Sequence, residues 1–273
     1  MVYLWKRRRG MLSKEKIDKS LKALGVSAPK ITIYESTDST NTRAKEYARE
    51  NPGIPAIFIA DCQTAGRGRR GRSFVSNAGA GIYMSILTYP DEKGSDATAV
   101  TARTAVILAR AIESLCHCDI KIKWVNDLYL GGKKLAGILT EGEMTSDGKI
   151  AYQVVGMGIN IYKNAISDDI SAIATSLEDE LNRTPDREAL VASIIKEFFT
   201  YEGEYYSEYK ARSFIIGKNV TVLKLNESYE AKVLDINPDF SLEIERNGKR
   251  ERLFTGEISL RLNAECRMKN AEY

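Results

Sequence analysis

A chain of 273 residues, 43% of them apolar, has room for one large domain, or one of middling size beside a small one, around a real core. Its formal charge of +3, from 40 basic against 37 acidic residues, argues against a surface built throughout to grip nucleic acid. No apolar run approaches a membrane span, and the basic stretch Lys6-Arg7-Arg8-Arg9 leads into no signal-peptide core, so a soluble, cytoplasmic protein is expected.

Leu12 to Leu24 carries Leu12, Ile17, Leu21 and Leu24 near helical spacing, which predicts a short amphipathic helix. Ile31-Thr32-Ile33-Tyr34 reads as a first strand. The cluster Asp38-Ser39-Thr40-Asn41 starts a helix with Ala44, Tyr47 and Ala48 on one face, stopped by Asn51-Pro52-Gly53. Capping accounts for one or two of those four polar residues; the remainder suit a helix N-terminus that binds a polar head group.

The apolar run Ala56 to Ala60 then feeds Asp61-Cys62-Gln63-Thr64-Ala65-Gly66-Arg67-Gly68-Arg69-Arg70-Gly71-Arg72. Glycine lets backbone approach a ligand closely, and each arginine presents a fork of donors that fits phosphate or carboxylate. A grip on an anionic small molecule is one reading; a flexible basic linker and an RNA-binding segment are the others. Placement between two strand signals, rather than in a tail, favours the first.

Gly81 to Tyr89 is strand-like, and Ala97 to Leu115 is a long apolar-rich helix. Cys116-His117-Cys118 has no second ligand pair elsewhere in the chain, so no zinc site is expected. With His117 the only histidine, the chemistry must rest on Lys, Arg, Asp, Asn and backbone groups. Ile120 to Trp124 alternates like a half-buried strand. It runs into Val125 to Leu130, turns at Gly131-Gly132 and returns as Lys133 to Leu139. After a turn at Thr145 to Lys149, Ile150 to Ile161 is a further strand. Asp168 to Thr184 reads as loop and helix, and Arg187 to Tyr209 as one long helix. From Phe214 onward, short alternating segments with a tight turn at Asn247-Gly248 predict a five-stranded barrel: Val220–Lys224, Tyr229–Ile236, Ser241–Arg246, Arg250–Phe254 and Ile258–Leu262.

Ser39-Thr40-Asn41, Gln63 with the arginine run, Lys123-Trp124-Val125-Asn126-Asp127, and Lys134-Leu135-Ala136-Gly137-Ile138-Leu139, in this order, resemble the biotin protein ligase family. The resemblance covers Tyr34 to Asn160 and resumes at Thr255-Gly256-Glu257-Ile258-Ser259-Leu260-Arg261. It implies an α+β fold: a mixed sheet like that of class II aminoacyl-tRNA synthetases, followed by a small SH3-like barrel. The expected division is a short helical extension (1–29), a catalytic domain (30–212) and a C-terminal domain (213–273). It also implies the activity: biotin and ATP give biotinyl-5′-adenylate, which then acylates a lysine of a biotin carboxyl carrier domain of a carboxylase.

Carried over, Ser39, Thr40, Asn41 and Gln63 would bind the ureido ring of biotin, with Gly137 and Gly158 letting backbone pack against the ring system. Arg67, Gly68 and Arg69 would hold the biotin carboxylate and adenylate phosphate, with Arg70 and Arg72 adding charge. Lys134 would reach the same oxygens, so that Arg67, Lys134 and Asp127 form the catalytic set. Asn126 and Asp127 would lie near the ATP phosphates and a Mg2+ ion, and Asn160 would face the adenine side. Phe74 stands where the family usually has tryptophan, and Val125 where it has proline. A homodimer is compatible with the resemblance. The stretch before Tyr34 is too short for a winged helix, so specific DNA binding is not expected. Lipoate or octanoyl transferases share the catalytic fold, but the arginine run is not expected in them.

Overall fold

The computed structural model describes residues 10–89, 96–183, 185–224 and 227–254, with the backbone of strand 259–262. The basic stretch at 6–9, Cys266 and residues 255–258 of the expected closing motif lie outside the described residues. Along the chain run α1 (Lys14–Ala23), β1 (Lys30–Tyr34), α2 (Thr40–Glu50), β2 (Ala56–Ala60), β3 (Gly81–Thr88) and α3 (Ala97–Cys116). Next come β4 (Lys121–Lys123), β5 (Asp127–Leu130), β6 (Lys133–Met144), β7 (Ile150–Asn160), α4 (Leu177–Leu181), α5 (Arg187–Thr200) and α6 (Tyr205–Arg212). Five strands follow: β8 (Asn219–Leu223), β9 (Ser228–Ile236), β10 (Leu242–Arg246), β11 (Lys249–Leu253) and β12 (Ser259–Leu262). No helix among them is long and apolar enough to cross a membrane.

Seven strands form one mixed sheet in the order β1-β2-β3-β7-β6-β5-β4, in which β1 and β2 are parallel and the other pairs antiparallel. The two-residue period of β3 divides its side chains between two layers. Ile82, Met84 and Ile86 join a large core with α1, α3 and α5, while Leu87 packs with Phe58, Val154 and the Ala44 and Ala48 of α2. Both faces of the sheet are therefore covered, and β2 and β3 are buried nearly end to end. Tyr83 and Ser85 share the α2 side but carry hydroxyls, and there the second layer opens into a cleft.

The hairpin at Gly131-Gly132 forms as the sequence predicts, both glycines having positive φ (57° and 76°), as a two-residue strand turn of this hand demands. Arg187 to Tyr209 is not one helix. Helix α5 stops at Thr200, and Glu204 caps α6 by accepting from the amides of Tyr206 and Ser207. A carboxylate that satisfies those orphan amides starts a new helix instead of continuing the old one.

The other five strands form an antiparallel sheet in the order β11-β10-β9-β8-β12, which fits a small barrel-like unit. Its inner face is Val220, Val222, Val233, Ile236, Leu242 and Ile244. Aromatic side chains join it to the rest of the chain: Trp124 Nε1, just after β4, donates to Phe240 O (2.8 Å), and from α6 Tyr206 Oη donates to Ile236 O (2.8 Å), while the Tyr209 ring, held by a bond from its Oη to Val125 O (3.0 Å), packs edge-on against Phe240. Trp124 is therefore a core residue with its one donor satisfied. The Trp124–Val125 peptide is cis.

Candidate functional site

The cleft floor follows from strand register. Asp127, Gly137, Gly158 and Tyr83 lie in one row across β5, β6, β7 and β3, and Leu139, Gly156 and Ser85 in the next. Three glycines in two adjacent rows leave bare backbone, so the floor is a groove of about 840 Å3, part of it open to solvent. A Cβ at Gly156 would come within 2.2 Å of Asn41 Oδ1, and one at Gly158 within 2.5 Å of the Phe74 ring. Only glycine lets α2 and Phe74 sit where they do.

One end of the groove is neutral and closed by hydrogen bonds. Ser39 is the N-cap of α2, yet its side chain makes no capping bond. Gln63 does that work from the next loop: its Oε1 accepts from Thr40 N (2.9 Å) and Thr40 Oγ1 (3.1 Å), while its Nε2 donates to Ser76 Oγ (3.0 Å). Ser85 Oγ lies 2.7 Å from Thr40 Oγ1 and donates to Asn41 Oδ1 at 2.6 Å. Asn41 Nδ2 donates to Glu141 Oε2 (2.7 Å) and Leu139 O (3.3 Å). Glu141 also pairs with Lys45 Nζ (2.6 Å) and Arg67 Nη2 (3.3 Å). Burial would raise the Glu141 carboxyl, but hydrogen bonds from Lys45 and Asn41, with the charge of Arg67, outweigh it and hold it below the usual carboxylate range.

The other end is cationic. The arginine run folds as a small hairpin in which Phe74 N donates to Gly66 O (2.9 Å) and Gly68 N to Arg72 O (2.7 Å). Arg69 Nη1 donates to Asn126 Oδ1 (3.2 Å), and burial pulls its guanidinium below the ordinary value against the opposing charge of Asp127. Arg70, at φ 59°, reaches across to Leu223 O (2.9 Å) on β8. Lys134 Nζ lies 2.6 Å from Asp127 Oδ1. These two share a face because the β5–β6 register shifts by one between Leu128 and Tyr129, which turns Lys134 to the side of Gly137. The root of the hairpin is pinned from behind. Arg187, 3% exposed, donates to Asp61 Oδ1 (3.0 Å), Gly81 O (3.1 Å) and Gly10 O (2.8 Å).

Ser39, Thr40, Asn41, Gln63, Arg67, Gly68, Arg69, Arg70, Arg72, Phe74, Asn126, Asp127, Lys134, Gly137 and Gly158 all line this one cleft. Asn160 does not: it is buried, and its amide donates to Thr175 O (3.2 Å). Residues the sequence reading passed over are Ser85, Gly156 and Glu141, with Lys45 behind Glu141. The usable signal was spacing, since Glu141 lies two and four residues past Leu139 and Gly137 on one strand face. Among the described residues no group of three His, Cys, Asp or Glu side chains is placed to hold a metal.

Residues 33–160 match the family described as the biotin/lipoate A/B protein ligase family. The bifunctional ligase/repressor BirA of Bacillus subtilis is 30% identical over 261 residues, covering 92% of this chain and 80% of that protein. The biotin–[acetyl-CoA-carboxylase] ligase of Mycobacterium tuberculosis is 26% identical over 228 residues, 79% of this chain and 83% of that one. Among solved structures, the biotin protein ligase from Aquifex aeolicus in complex with biotin and ATP aligns with a TM-score of 0.74 and 25% identity, over 86% of this chain and 99% of that one. On fold, cleft and sequence together, the chain belongs to the biotin/lipoate A/B protein ligase family.

Proposed function

We propose that this protein is an ATP-dependent ligase that activates biotin as biotinyl-5′-adenylate and passes it to a lysine of a biotin carboxyl carrier domain of a carboxylase. The observation that carries this reading is the union in one cleft of a neutral hydrogen-bonding end and a cationic end. A cyclic urea suits the first and a carboxylate meeting a phosphate suits the second. Relatives described as biotin ligases support it.

In the first step a biotin carboxylate oxygen attacks the α-phosphorus of ATP, a new P–O bond forms and pyrophosphate leaves. Both reactants are anionic, so Arg67, Arg69 and Lys134 cancel their repulsion and bind the charge that builds on the phosphoryl oxygens. Phe74 covers the nucleotide side over Gly158, and the hairpin keeps water from the mixed anhydride. In the second step the carrier lysine attacks the acyl carbon, AMP leaves, and Asp127 accepts the amine proton. Asp127 is the only carboxylate among the described residues lining the cleft, which fits a Mg2+ held mainly by phosphate oxygens and by one protein group beside Asn126. When bound, that ion would neutralise the leaving pyrophosphate.

Pyrophosphate release with Mg-ATP tests the reading, with biotin, lipoate and octanoate compared side by side. Biotin should be preferred by on the order of 10⁴-fold, because a site of committed hydrogen bonds rejects ligands that leave them unmade. Equal rates with octanoate would sink it.

A further inference from the structure

Glu141 has no place in the chemistry above, yet it is the most heavily engaged carboxylate beside the cleft. Its neighbours Lys45 and Arg67 keep it ionised, and an ionised carboxylate can only accept. It therefore takes an N–H of Asn41 at 2.7 Å, and Leu139 O takes the other at 3.3 Å. Both donors of the Asn41 amide are thus turned into the protein. Were the amide reversed, Asn41 Oδ1 would face the Glu141 oxygens and lose every donor on that side. Asn41 Oδ1 is left beside Ser85 Oγ and over the bare backbone of Gly156, which lines the cleft. An amide oxygen has two lone pairs, and Ser85 fills only one.

We propose that Glu141 is a specificity-determining positioning residue: by fixing the orientation of the Asn41 amide it makes Asn41 present an acceptor, so the ligand must bring an N–H to that point. This rests on the biotin reading, in which the ureido ring supplies such an N–H. A glutamine at 141 has both a donor and an acceptor at its tip, so it can support Asn41 either way round.

The test uses the full chain, wild type and Glu141→Gln, with Glu141→Ala as a second variant and thermal unfolding to check each fold. KM for biotin, read by pyrophosphate release, is compared with KM for the two cyclic carbamate analogues in which a ring oxygen replaces one or the other ureido N–H. Wild type should reject one of the two carbamates by about 10- to 100-fold, since two acceptors would then face each other. Glu141→Gln should keep the biotin KM within about threefold while that discrimination falls to about threefold or less, because only the longer contact to Leu139 O (3.3 Å) then holds the Asn41 amide in its orientation. Glu141→Ala should lose the discrimination and raise the biotin KM about 10-fold as well. Wild-type discrimination retained in Glu141→Gln, or biotin and carbamate KM raised equally in both variants, would overturn the proposal while leaving the ligase reading intact. No pyrophosphate release from wild type with biotin would overturn the ligase reading and this inference with it.

Discussion

At the neutral end of the cleft Thr40, Asn41, Gln63 and Ser85 direct most of their polar atoms at one another, whereas at the cationic end Arg67, Arg69 and Lys134 hold partners that an anion can replace. The first end is set before any ligand arrives, as shape recognition requires. The second pairs Arg67 with Glu141 and Lys134 with Asp127, while Arg69 donates to the neutral amide of Asn126. Those pairs are partly exposed and of modest worth individually, so a phosphate or carboxylate can displace them. The contrast separates selection of the ring from stabilisation of the charge that develops during reaction.

Variants can break that contrast in order of expected effect. Lys134→Ala should reduce single-turnover formation of the adenylate by about 10²–10³-fold, the usual cost of removing a preorganised group from developing charge. Biotin affinity by calorimetry should fall far less, about 10-fold at most, because the ring end is untouched and one carboxylate contact is lost; adenylate formation within twofold of wild type would move the chemistry elsewhere. Arg69→Ala should weaken retention of the adenylate by about 10- to 100-fold, chiefly through faster escape. Preloaded variant chased with unlabelled biotin reads this directly, and escaped adenylate should biotinylate bystander lysines. Wild-type retention would remove Arg69 from the anion site. Gly156→Ala should weaken biotin about 10-fold and lower stability by about 1–3 kcal/mol, since its Cβ meets an Asn41 amide that Ser85, Leu139 and Glu141 hold in place. Gly158→Ala meets instead the Phe74 ring, so ATP binding should suffer along with biotin packing, whereas Gly156→Ala should spare ATP. Equal effects of the two glycine variants on ATP would erase the distinction between the ends.

Much of this cleft is legible in sequence because its lining comes from local signals. Gln63 and the arginine run follow a buried strand, and Lys134 to Gly137 follows a two-glycine turn. What stayed hidden depends on pairs far apart in the chain. Glu141 meets Asn41 across 100 residues, and Ser85 meets it across 44. No periodicity reports such a meeting until strand register brings them together. The bulge that turns Lys134 toward Asp127 is equally invisible, since alternation alone puts residues 134 and 137 on opposite faces. In the same way Glu204 looked like one more polar residue within a long helix, until its carboxylate is seen capping a second one. The C-terminal strands were legible because each is short, alternating and bounded by its own turn.

Arg187 carries one further consequence. Among the described residues, those lining the cleft all fall between 39 and 158, inside the span 33–160 that defines the family match. An excised fragment of that span would keep the whole cleft lining but lose the guanidinium that gathers residues 10, 61 and 81 behind the arginine hairpin. Asp61, 8% exposed in the whole chain, would lose its counter-ion, and the apolar face that Leu12, Ile17, Leu190 and Ile194 cover would be bared to water. The inventory of a binding site and the autonomy of a folding unit are separate properties here. A minimal enzyme cut from this chain must carry α1 and α5 along with the cleft, although neither contributes a side chain to its lining.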